Sequence, residues 1–139
     1  MRTFLLILHR ITAILIVLAA GCARITDDPR KPHPVVAYYP DGAKRSEGVF
    51  RNTLPNGEFR FYRTDGSLES QGEMADGQPV GRWTFWNPEG GKQTEAEYRD
   101  GKPSGEWQTW HDDGKLASIS SYKEGKLHGK QLQIGRAHV

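Results

Sequence analysis

The chain has almost no cysteine: one residue, Cys22, among 139. A lone cysteine closes no intrachain disulfide and cannot build a thiolate metal cluster. Net charge is nearly missing too, with 19 Lys and Arg against 17 Asp and Glu. Displacing phosphate counterions needs a basic field, so nucleic acid is excluded as a partner. Long apolar runs are absent apart from Ile11–Ala20 near the start. Carried on to Cys22, that run would reach roughly 18 Å as a helix, against a hydrocarbon core of about 30 Å. It fails as a membrane span. The rest is poor in Leu, Ile and Val yet holds all four tryptophans. It cannot fill a deep aliphatic core, and a thin sheet stitched by aromatic rings suits it better. No Gly-x-Ser-x-Gly, Cys/His pair or phosphate-binding glycine loop is present, so no cofactor is expected and the chain does not read as an enzyme.

What is abundant is glycine, 16 in all, placed periodically. Asp41-Gly42, Asp65-Gly66, Glu89-Gly90 and Asp113-Gly114 recur at a constant 24-residue step. Gly57, Gly81, Gly105 and Gly129 keep the same step, as do Gly77, Gly101 and Gly125. Self-similarity without insertions marks a repeat array. Such arrays present extended surfaces, whereas an active site needs a unique convergence of groups.

Within a unit, the segments Lys44–Phe50, Leu68–Met74, Lys92–Tyr98 and Leu116–Tyr122 alternate with period two. One parity carries Ser70, Gly72 and Met74; the other carries Glu69, Gln71 and Glu73. This predicts half-buried strands with one wet face. A loop is expected over Asp76–Gly81 and its relatives, since Gly and Pro supply turn geometry. Second strands follow at Glu58–Tyr62, Arg82–Trp86 and Glu106–Trp110, closed by the Asp-Gly turns. The expected fold is all-β, an antiparallel meander of 24-residue hairpins forming an open sheet or solenoid. Trp83 and Trp107 are expected across Gly72 and Ala96. Trp83 and Trp86 differ in parity, which places them on opposite faces unless a bulge intervenes; two aromatic faces are favoured.

The N-terminal stretch has the basic, apolar and small-residue order of a secretory signal. Leu18-Ala19-Ala20-Gly21-Cys22 resembles the lipobox of bacterial lipoproteins. That resemblance implies a signal peptide over 1–21, lipidation of Cys22 and a membrane anchor, with Ala23 favouring the periplasmic face of the outer membrane. An ordinary signal with a chance cysteine is the alternative. Residues 22–37, with Pro29, Pro32 and Pro34, are expected to form a stiff tether reaching at most roughly 50 Å. Cleavage before Cys22 leaves equal numbers of acids and bases, because Arg2 and Arg10 depart. The array is expected over 38–133. Ile134–Val139 is similar to one reading frame of a sequencing adapter, so 134–139 is expected to be a non-native tail; a worn last repeat is the alternative.

Gly77-Gln-Pro-Val-Gly81-Arg-Trp83-Thr-Phe85-Trp86-Asn-Pro-Glu-Gly90 resembles the MORN-variant repeat of bacterial proteins, and Gly101–Gly114 resembles it more fully. The likeness covers about residues 38–130. Proteins of this type are often described as YwqK-family antitoxins, which implies a protein partner, a toxin among the candidates. Choline-binding hairpin repeats also combine aromatics with Asp-Gly turns, but their unit is shorter than the one here.

The expected function is therefore an envelope-anchored protein-binding or scaffolding module, antitoxin-like by resemblance. A cell-wall or glycan binder is the alternative, and an enzyme the remotest reading. Tyr62, Trp86 and Trp110 are the expected contact stripe, against the reading that they merely cover a second sheet face. His111, Asp112 and Asp113 tempt a metal assignment, but adjacent turn residues diverge and no second ligand cluster has the spacing. His128 reads as structural.

Overall fold

The computed structural model describes residue 28 and residues 30–129 and 131–135. Among these, ten strands form one antiparallel sheet: β1 His33–Tyr38, β2 Lys44–Arg51, β3 Leu54–Tyr62, β4 Leu68–Ala75, β5 Gln78–Trp86, β6 Lys92–Arg99, β7 Lys102–Trp110, β8 Leu116–Lys123, β9 Lys126–Leu127 and β10 Leu132–Gln133. Strands β1 to β8 follow one another across the sheet, and both β9 and β10 pair with β8. The expected all-β meander is what the chain forms.

Two kinds of turn alternate along it. Asp76-Gly77, Asp100-Gly101 and Glu124-Gly125 have positive φ at both residues, the type I′ geometry whose twist matches a two-residue hairpin. The loop expected over Asp76–Gly81 is thus only a tight turn, and β5 already begins at Gln78. At the other end of each hairpin, Gly66 N–H donates to Arg63 O (2.9 Å) and Arg63 N–H to Ser67 O (2.9 Å). Asp65 Oδ1 accepts the Ser67 amide at 2.8 Å. Gly57, Gly81 and Gly105 serve differently: they sit at positive φ inside strands, where the register shifts between neighbours.

The core lies on one face. Phe50, Phe59, Phe61, Met74, Trp83, Ala96, Tyr98 and Trp107 are buried, with Val35, Phe85 and Tyr122 packed against them. Rings alternate with small residues across neighbouring strands: Gly48 opposes Phe59, Phe59 opposes Gly72, Trp83 opposes Ala96, and Ala96 opposes Trp107. A Cβ added to Gly72 would strike the Trp83 indole, so the ring lies over bare backbone. Trp83 is fully buried and donates Nε1–H to Glu73 O at 3.1 Å. Trp107 repeats the bond to Glu97 O at 3.3 Å. The expected seating of indoles over small residues is thereby confirmed.

Successive units are tied by a second device. Tyr39 OH donates to Tyr62 O at 2.8 Å. One step on, Arg63 donates to Trp86 O and, at 2.9 Å, to Leu68 O. In the same column His111 Nε2 stands 3.5 Å from Ile134 O. Asn87 instead turns inward, its Oδ1 accepting Gly91 N–H at 2.7 Å.

The first end of the array differs from expectation. Residues 33–37, assigned to the tether, belong to β1, where Val35 faces Gly48 and Ala37 faces Ser46. Pro34 is tolerated because an edge strand needs no donor on its open side. At the far end the repeat register runs through Gln133 and carries one residue further. Leu127 opposes Tyr122 as Pro103 opposes Tyr98, and Gln133 opposes Ser118 as Thr109 opposes Thr94. β9 and β10 are thus the two halves of one long strand, interrupted between them. Ile134 N–H still donates to Ala117 O at 2.8 Å. The remainder of the expected tail, from 136, lies outside the described residues.

Candidate binding face

The face opposite the core is organised in rows. Beyond the irregularity at Gly81, β5 alternates without a break, and the register shift between Phe85 and Trp86 falls on β6, where Gln93 is passed over. Trp83 and Phe85 point to the core, so Trp86 stands on the other face, as parity indicated. Tyr62 and Trp110 occupy the same column as Trp86. All three are half-buried rather than fully exposed.

The reason is what lies between them. Each ring pairs with the residue that opens the next strand: Tyr38 with Lys44, Tyr62 with Leu68, Trp86 with Lys92 and Trp110 with Leu116. Taken across the sheet, the row runs ring, lysine, ring, leucine, ring, lysine, ring, leucine. Lys44 Nζ lies 5.5 Å from the Tyr62 ring centroid, and Lys92 Nζ lies 4.9 Å from that of Trp110. These are cation–π distances. Tyr38, one repeat step before Tyr62, begins the row and is its most exposed ring at 61%. The expected stripe starts only at Tyr62 because Tyr38 abuts the assigned tether, although its spacing is regular.

A second row runs beside the first. Val36, Glu47, Arg60, Gln71, Thr84, Glu95, Gln108, Ile119 and Leu132 oppose one another in unbroken succession. Its acids hold the lysines of the first: Lys44 Nζ to Glu47 at 2.9 Å, and Lys92 Nζ to Glu95 at 2.7 Å. Tyr62 OH donates to Glu47 Oε1 at 2.5 Å. Arg82 reaches Glu95 at 3.0 Å and Glu97 at 3.7 Å; Arg60 reaches Glu58 at 2.7 Å and Glu47 at 3.6 Å. The Tyr62 hydrogen bond, then that of Lys44, holds the Glu47 carboxyl below its ordinary range. For Glu95 the hydrogen bond from Lys92 does the same. The arrangement can present flat apolar rings flanked by fixed donors and acceptors, and its cations arrive already neutralised.

The remaining sequence candidates lie elsewhere. Cys22 is outside the described residues. Asp113 accepts the Lys115 amide at 3.1 Å within its turn. His128 donates its backbone N–H to Ser121 O at 2.7 Å, extending the pairing of β9 with β8.

Against known proteins, residues 103–124 match the family described as MORN repeat variant. The match spans one unit, most of β7, the Asp-Gly turn and β8. The same pairing recurs at each earlier 24-residue step, which supports reading the array as a MORN-type repeat. No curated protein matches the chain.

Proposed function

We propose that this protein is a binding module held at the cell envelope by a lipid on Cys22, with the ring-bearing face as its contact surface. One observation carries the reading: four rings, Tyr38, Tyr62, Trp86 and Trp110, share a row on the face that the core does not use. Rings with an apolar body and a polar handle are the side chains most enriched where macromolecules meet. Nothing in this role calls for turnover.

The lipobox-like segment before Cys22 supports the anchor. The resemblance to antitoxin-type repeat proteins supports a protein partner, a secreted toxin among the candidates. The second reading, a glycan partner, is favoured by the polar row that parallels the rings.

Fractionation of cells producing the full chain tests the anchor. The wild type should sediment with membranes, and Cys22→Ser should not. In-cell photo-crosslinking from position 84, in the row beside the rings, tests the face. A discrete adduct lost in Trp86→Ala with Trp110→Ala supports the reading, and an adduct pattern indifferent to those changes would overturn it.

A further inference from the structure

We propose that the ring-bearing face takes an uncharged, linear, β-linked polysaccharide laid across the strands, about one disaccharide to each 24-residue unit. The inference rests on the binding-module reading and names the ligand of that same face.

Pitch is the first argument. The rings stand on alternate strands, so neighbouring rings are two strand spacings apart, ~9.6 Å, close to the reach of two hexose rings in an extended chain. A ligand repeating at that interval meets an equivalent ring each time. Such a polymer matches a surface that itself repeats at a constant step.

Chemistry is the second. The face of an aromatic ring is electron-rich, and the axial C–H groups of a pyranose are weakly positive, so the two stack. Sugar hydroxyls both donate and accept, and the neighbouring row offers both roles: Arg60, Gln71 and Gln108 can donate, and Glu47, Thr84 and Glu95 can accept. These groups lie one strand apart along the ligand's path.

Charge is the third. Lys44, Lys92, Arg60 and Arg82 are each within 3.0 Å of a carboxylate oxygen, so these cations offer little attraction to an anion. An anionic polymer or lipid surface gains nothing there, and an uncharged ligand loses nothing. Among the described residues a lysine leans over Tyr62 and over Trp110 but none over Trp86, which makes Trp86 the central platform.

Titration of the full chain with cellohexaose and chitohexaose, followed by tryptophan fluorescence and calorimetry, tests the assignment. At least one hexasaccharide should bind, and its affinity should exceed that of the matching disaccharide by about tenfold or more, as successive units engage. High salt should leave it unchanged. Trp86→Ala should weaken binding at least about tenfold, while Trp86→Phe retains most of it. If Trp86→Ala fails to fold, Gln108→Ala serves in its place and should weaken the hexasaccharide but spare the disaccharide. Absence of binding, or affinity independent of chain length, would overturn the glycan. Should no hexasaccharide bind while the position-84 crosslink to a protein still depends on Trp86 and Trp110, the face stands and only its ligand is wrong. Loss of both results would remove the binding reading itself.

Discussion

The indole of Trp83 covers Gly72 so closely that the two cannot both carry a side chain: any Cβ at Gly72 would lie inside the ring. Gly48 stands in the same relation to Phe59, where a Cβ would come within 2.5 Å of the ring atoms. Gly72→Ala should therefore destabilise the protein by about 1–3 kcal/mol through forced repacking. Thermal unfolding should show a Tm lower by at least about 4 °C for a domain of this size. An unchanged Tm would mean that the ring can slide aside without cost.

Asn52-Thr53 forms the first two-residue turn with φ of 50° and 66°, where the later units place glycine second. A β-branched residue in the left-handed region is strained, and Asn-Gly is the preferred pair there. Thr53→Gly should stabilise the array by about 1 kcal/mol despite the added chain entropy of glycine. Denaturant melts of the two proteins would show a higher midpoint at unchanged slope.

The Tyr98 hydroxyl is buried without a hydrogen-bond partner among the described residues, and burial pushes its pKa well up. Its column holds Phe50 and Met74 in earlier units, so the repeat makes this site apolar. Tyr98→Phe removes an unmet polar group and should be neutral or stabilising by up to about 1 kcal/mol. Equilibrium unfolding decides it, and a loss of stability would reveal a partner for the hydroxyl.

Glu47 titrates below its ordinary range because Tyr62 and Lys44 hydrogen-bond its carboxylate. The folded pKa is the lower one, so the unfolded state binds more protons between the two values and stability rises with pH in that window. The advantage of wild type over Glu47→Gln should be present at neutral pH. It should fade as pH drops below the ordinary carboxylate range toward the folded value. Paired melts at neutral and acid pH would show convergence; a constant gap would place the effect in packing instead.

The turns and faces were legible because glycine columns and period-two alternation express backbone sterics directly. Asp76-Gly77 and Asp65-Gly66 look alike as dipeptides, however, and only the backbone separates a two-residue type I′ hairpin from a wider turn closed by an Asp side chain. β1 was hidden because a short edge strand containing Pro34 carries too little pattern to stand against its proline-rich surroundings. Lys44 and Lys92 could not be placed against the rings of Tyr62 and Trp110 without the strand register, since nothing in a column alignment relates them. The last repeat reads as worn because Gln131 and Ile134 stand where aromatic columns would fall, while the hydrogen-bonded register continues regardless of side-chain identity.

Strands β1 to β7 each pair only with their neighbours in sequence, joined by short turns. Nearly every native pairing is thus short-range, which is the topology associated with rapid, zipper-like assembly. It also makes length an evolvable quantity. Copying or excising the codons for one unit would widen or narrow the ring-bearing face by one ring while leaving the strand pairing within each remaining unit as it was.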